Sequence, residues 1–170
     1  MLGLHGRRDR LIFLVGVNTG LRASDLLSLT VSRVKRQRQK QQKTGNTVDL
    51  LLPEALLQEL ESYIQDRCLT GEDKIFTTKN KQGSYFRETK ELSYQALYKK
   101  FTQAGQKIGI RLTTHSLRKT FGRLFYESCK DLALTALALG QKDVNSTAHY
   151  IGLTRESVDN VRSKIGAIGF

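Results

Sequence analysis

The chain has 170 residues, is 39% hydrophobic and carries one proline, enough to bury one sizeable core in a single compact domain. Its 28 Lys and Arg against 16 Asp and Glu give a net charge of +12 and a pI near 9.9, a field that attracts polyanions such as nucleic acid. No apolar run reaches membrane-spanning length, the basic start MLGLHGRRDR lacks the apolar region of a signal peptide, and Cys68 and Cys129 with three histidines form no zinc pattern. A cytoplasmic protein with reduced thiols and no membrane partner is therefore expected.

In chain order, a basic turn and a nearly continuous apolar stretch over residues 7–18 predict a buried helix that stops at Asn18-Thr19-Gly20. Arg22 follows that turn, and Ser24 is a candidate N-cap for a short helix with Asp25 in its first turn. From Val31 to Leu52 the pattern predicts a basic β-hairpin, with a KTGN turn and Lys43 at its tip. Pro53 opens a helix whose apolar positions Leu56, Leu57, Leu60, Tyr63 and Ile64 recur at helical spacing. A loop over residues 70–90 surrounds a short predicted strand at Ile75-Phe76. Ser93 caps the next predicted helix, with Ala96, Leu97, Phe101, Ala104 and Ile108 on its buried face. Thr113 or Thr114 caps the helix beginning HSLRKTFG, and three further helices follow in DLALTALALG, DVNSTAHY and TRESVDNVRSKIG. The fold class read from this order is α+β and mostly helical, a multi-helix domain with one small antiparallel sheet.

Few residues in this layout are placed to do chemistry. His115 and Arg118 lie three apart, so they share a helix face near a helix start, where free backbone N–H groups favour an anion. Arg22 follows a glycine turn, Lys43 tops a hairpin, and Tyr150 ends a polar segment. Each also has an ordinary structural explanation, such as a solvated lysine or a tyrosine with its hydroxyl in water. It is the order Arg, Lys, His-x-x-Arg, Tyr that gives the set weight.

In that order the chain resembles the catalytic domain of the tyrosine recombinases, the phage integrase family. NTGLRASDLLSLT is similar to the family's first arginine box, QKTGNTVDLLLP to its lysine hairpin, TTHSLRKTFG to its His-x-x-Arg box and LALGQKDVNSTAHY to its nucleophile segment, over roughly residues 8–155. The resemblance implies a fold of the DNA breaking-rejoining type. It implies metal-independent cleavage and rejoining of DNA through a 3′-phosphotyrosyl link, with no cofactor. Arg22 and Arg118 would hold the non-bridging phosphate oxygens, Tyr150 would attack, His115 would take a proton or donate to the phosphate, and Lys43 would protonate the leaving 5′ oxygen. Asp25 would orient Arg22 or its helix. The partners implied are double-stranded DNA, further copies of the chain as a dimer or tetramer on DNA, and DNA-bending accessory proteins, which makes the protein nucleoid-associated.

Two features depart from the family pattern. Gln141 stands nine residues before Tyr150, where a second histidine or a tryptophan is usual; its amide can donate to a phosphate oxygen but carries no charge or proton near neutral pH. Residues 1–170 read as one catalytic domain with no N-terminal core-binding domain ahead of it. His149 is expected at the surface, because adjacent helical residues point about 100° apart. The terminal helix, with Val158, Val161, Ile165 and Ile168, fits packing on its own domain or docking on a neighbouring protomer. A type IB topoisomerase shares the same residue pattern, and a DNA-binding regulator that has lost the reaction shares the fold; metal-dependent nuclease chemistry lacks a ligand cluster.

Overall fold

The computed structural model describes residues 6–40, 42, 43, 45, 47–78 and 90–165. The chain divides into two compact units, residues 1–118 and residues 119–170, with the boundary inside one continuous helix. His5, Thr44, Asn46 and Ile168 lie outside the described residues.

The first unit begins with α1 (Arg7–Thr19), whose apolar stretch buries Leu11, Ile12 and Val15. It ends as predicted at Gly20, which takes φ 63° and donates its N–H to the Gly16 carbonyl at 3.0 Å. That left-handed turn disfavours a side chain with a Cβ, so glycine sets where the chain leaves the helix. Leu21 then enters the core, and α2 (Ala23–Leu27) starts two residues earlier than the capping pattern suggests. Arg22, not Ser24, occupies the N-cap position, and no side chain caps the helix.

A second departure follows. Val31–Lys35 is a helical turn, α3, where alternation predicted a strand. Val31 and Val34 are both buried, and a spacing of three places them on one face only in a helix. The hairpin is accordingly shorter than predicted: β1 (Arg38–Lys40) pairs antiparallel with β2 (Thr47–Asp49), Gln39 opposite Val48. Gly45 in its turn has φ 72°. Pro53 stands just before α4 (Glu54–Asp66), which buries Leu56, Leu60, Tyr63 and Ile64. The strand expected at Ile75-Phe76 lies two residues on: β3 (Thr77–Thr78) pairs with β4 (Lys90–Glu91), while Ile75 and Phe76 are buried beside it.

α5 (Tyr94–Gln106) is capped by Ser93, whose hydroxyl accepts the Ala96 N–H. Its Phe101 is fully buried and meets Phe13 of α1 edge to face, with ring centroids 6.5 Å apart. Each such fully buried Leu or Phe side chain contributes about 1.5–3 kcal/mol. Ile108 is 42% exposed, contrary to the expected buried face, because the helix has already ended at Gln106. Close behind lies Gly105, where a Cβ would come within 2.5 Å of the Ile110 carbonyl oxygen.

The second unit takes most of α6 (Thr114–Cys129), then α7 (Leu132–Leu139), α8 (Val144–Tyr150) and α9 (Arg155–Ile165). Asp131 caps α7 and Asp143 caps α8, each accepting backbone N–H groups of its own first turn. Gly140 stops α7 in the left-handed region, with Gly140 and Gln141 donating back to the carbonyls of Leu137 and Ala136. In α9, Val158 and Val161 are 50% and 55% exposed, so among the described residues packing leaves this face largely uncovered.

Candidate active site

Arg118 is a buried candidate residue with a main-chain partner. It is 5% exposed, and its Nη1 donates to the Gly20 carbonyl at 2.5 Å. That carbonyl belongs to the turn that delivers Arg22, so the second arginine is fastened to the turn of the first. The helix start is brought close by a glycine: a Cβ on Gly16 would lie 2.6 Å from Leu117 Cδ1, so the absent side chain lets Leu117 seat against α1. Arg118 follows directly.

The start of α6 is fixed locally as well. Thr113 precedes the helix and donates its backbone N–H to the Ser116 hydroxyl, while the Ser116 N–H returns to the Thr113 carbonyl. This resolves the predicted alternatives in favour of Thr113 as cap. Thr114 is buried and donates to the Tyr94 hydroxyl at 3.1 Å, and His115 is exposed in the first turn.

Lys43 lies in the exposed hairpin turn, and its placement depends on Asp25. The Asp25 carboxylate is fully buried and its Oδ1 accepts the Gln42 backbone N–H at 2.8 Å. A carboxylate expected to orient Arg22 or its helix accepts main chain of the hairpin, one residue from the lysine. Sequence reasoning had no signal for this link, because the donor is main chain. Arg22 is half-buried at the start of α2.

In the second unit, the Gln141 Oε1 accepts the Thr147 hydroxyl at 2.6 Å. Thr147 is fully buried and its single hydroxyl proton is shared between Gln141 Oε1 and the Asp143 carbonyl, so Gln141 ties the α7–α8 turn to the middle of α8. The Asp143 carboxyl is held below its usual value by the Ser146 hydroxyl, then by the backbone N–H groups of Ser146 and Asn145. Tyr150 ends α8, half-buried, with its hydroxyl oxygen shielded from solvent. Lys119 lies over its ring, Nζ 5.6 Å from the centroid. His149 is exposed, as expected. Ile151, the next residue, packs where a Cβ on Gly122 would come within 3.0 Å of it.

Tyr63 is a buried tyrosine of the first unit and makes a contrast. Burial pushes its phenol up, against the opposing charges of Arg67 and Arg8. It is held as a neutral core ring.

A mostly helical domain with small antiparallel ribbons, carrying arginine, hairpin lysine, His-x-x-Arg and tyrosine in that order, is the catalytic fold of the tyrosine recombinases. The chain belongs to the phage integrase family, which its residues 4–157 match. It is 30% identical over 155 residues to the probable integrase/recombinase YoeC of Bacillus subtilis, covering 89% of this chain and 81% of that one. Among solved structures, the XerH site-specific recombinase bound to a palindromic difH substrate, a post-cleavage complex, superposes with a TM-score of 0.72 at 24% identity over 92% of this chain and 45% of that one. A lambda integrase dimer bound to a COC′ core site gives 0.65 at 22%, over 89% and 56%. The chain spans about half the length of the archaeal XerA recombinases that it also matches.

Proposed function

We propose that the chain is the catalytic domain of a site-specific tyrosine recombinase, which cuts and rejoins double-stranded DNA through a 3′-phosphotyrosyl intermediate. The observation that carries this reading is the Arg118 to Gly20 hydrogen bond, which fastens two otherwise distant arginines of the sequence to one turn. Two guanidiniums arranged around a phosphate supply charge and forked donors to its non-bridging oxygens, and both count most in the pentacovalent transition state.

In this reading Tyr150 Oη attacks the scissile phosphorus and the bond to the 5′ oxygen breaks. Lys43 gives that oxygen a proton, and the phenol proton leaves to His115 or to solvent. His115 otherwise donates to the phosphate when protonated. Gln141 offers its amide N–H where the family more often has histidine or tryptophan. The phosphotyrosyl ester conserves the energy of the original bond, so attack by another 5′ hydroxyl restores a phosphodiester without ATP. The DNA-bound state of XerH and the dimeric state of lambda integrase support double-stranded DNA and a second copy of the chain as partners. The net charge of +12 supports the same electrostatics.

The test is a randomised library of nicked duplexes incubated with the protein and run on a denaturing gel. Wild type is expected to trap a covalent protein–DNA adduct that Tyr150→Phe does not form. An adduct that persists in Tyr150→Phe, or none from wild type, would refute the assignment.

A further inference from the structure

We infer that Lys119 is a positioning residue for the nucleophile, its ammonium resting on the face of the Tyr150 ring and holding that ring in place for attack. The inference rests on the reading of Tyr150 as nucleophile and adds to the reaction a residue that the Arg, Lys, His-x-x-Arg, Tyr pattern does not contain.

Three observations carry it. The Lys119 ammonium lies 5.6 Å from the centre of the Tyr150 ring, within the range at which a cation is attracted by the quadrupole of an aromatic face. The contact is built by backbone packing: Gly122, one turn beyond Lys119 on the same face of α6, leaves room for Ile151 at 3.0 Å, and Ile151 is the neighbour of Tyr150. The phenol oxygen is shielded from solvent, where a nearby charge acts with less screening than it would in water. As the phenol gives up its proton for attack, negative charge develops on the oxygen and spreads into the ring before passing to the phosphate, and an ammonium over the ring favours that development. Lysine suits the task because its flexible stem lets an exposed residue reach across while remaining solvated at its tip.

The substitutions are Lys119→Met, which keeps length and loses charge, and Lys119→Arg, which keeps a cation able to stack on the ring. Because Lys119 is exposed, both variants are expected to fold, and their melting temperatures check this. In DNA-free protein, hydroxyl-radical oxidation of Tyr150 is read by mass spectrometry against Tyr94 and Tyr98, which are 42% and 41% exposed. Lys119→Met is expected to raise Tyr150 oxidation and to lower the rate of adduct formation at saturating nicked DNA, each by about two- to fivefold, the factor that an exposed cation–π contact supplies. Lys119→Arg is expected to return both readings to wild type.

The proposal requires both changes and the rescue. A variant that needs more DNA for half-saturation but keeps the wild-type saturated rate and oxidation would mark an ordinary phosphate contact and overturn it. So would a change in only one of the two readings. Failure of the nucleophile reading itself is separable: the adduct would then persist in Tyr150→Phe while Tyr150 oxidation still responded to Lys119.

Discussion

The candidate residues of the first unit and those of the second are held in different ways. In the first unit, the groups that matter are fixed by buried partners: Arg118 on the Gly20 carbonyl, the Asp25 carboxylate on the Gln42 N–H, Leu117 pressed against Gly16. In the second, the seven-residue α8 is held from the side-chain direction by the Gln141 to Thr147 hydrogen bond, the Asp143 cap and the Lys119 stack on Tyr150. Charges that must meet a phosphate at fixed spacing gain from a frame that does not relax, since reorganising donors during the reaction costs rate. In the proposed reaction Tyr150 must form and later leave a bond to that phosphate, which favours fewer constraints, and elements with few buried contacts open at low free energy.

The largest expected effect comes from breaking the frame at its phosphate end. Arg118→Lys keeps a charge but loses the planar fork, and single-turnover cleavage should fall by about two to three orders of magnitude. DNA affinity in a gel-shift titration should change far less; a parallel loss of both would mean that Arg118 serves ground-state binding. Gly16→Ala attacks the same frame without touching any charged group. The added methyl would meet Leu117 at 2.6 Å, and overpacking of this kind costs about 1–3 kcal/mol, to be read from urea unfolding together with a slower cleavage rate. Unchanged cleavage in a destabilised Gly16→Ala would separate the packing of Leu117 from the placing of Arg118.

Asp25→Ala removes the hairpin's anchor and leaves a buried N–H without its acceptor, at a cost of about 1–3 kcal/mol. Its effect on cleavage should be strongly non-additive with Lys43→Ala, since both changes act on the proposed proton donor. Full additivity in that double-mutant cycle would detach Asp25 from the lysine.

Smaller effects are expected at the tyrosine end. Thr147→Val should cost about 0.5–1.5 kcal/mol in stability, and adding Gln141→Ala should cost little more, because the two share one hydrogen bond. Gln141→His is expected to keep or raise the cleavage rate, since an imidazole nitrogen can also accept from Thr147; a clear drop would show that the amide has a use of its own. Asp143→Ala tests the cap through pH. The carboxyl of Asp143 is held below its ordinary 3.8, so its contribution is present at neutral pH and disappears as the group protonates at acid pH. The melting-temperature gap between wild type and Asp143→Ala should therefore be widest near neutrality and close below about pH 4.

Much of this organisation was legible in the residues. Glycine stops at Gly20 and Gly140, the Ser93 cap and the apolar faces of α1, α4 and α5 follow from rules that depend on a few neighbouring positions. The misread segments are those where two periods compete. Val31 and Val34 suit a strand by propensity, but burial of both on one side made the segment helical, and Ser24 lost the cap position because the preceding turn had already set the helix start at Arg22. The order of the site residues could be read as well. What could not be read is what holds them: the Gly20 carbonyl, the Gln42 N–H and the missing methyls of Gly16 and Gly122 are backbone features, with no side-chain signature.

The anchor of the hairpin has a consequence for how freely this part of the molecule can change. Asp25 grips main chain, so every amino acid except proline can stand at residue 42 and still present the donor. The hairpin is therefore attached by a socket that ignores its sequence. Side-chain changes at residue 42 are expected to leave this attachment intact, and Gln42→Pro is the one substitution at that position that should release it.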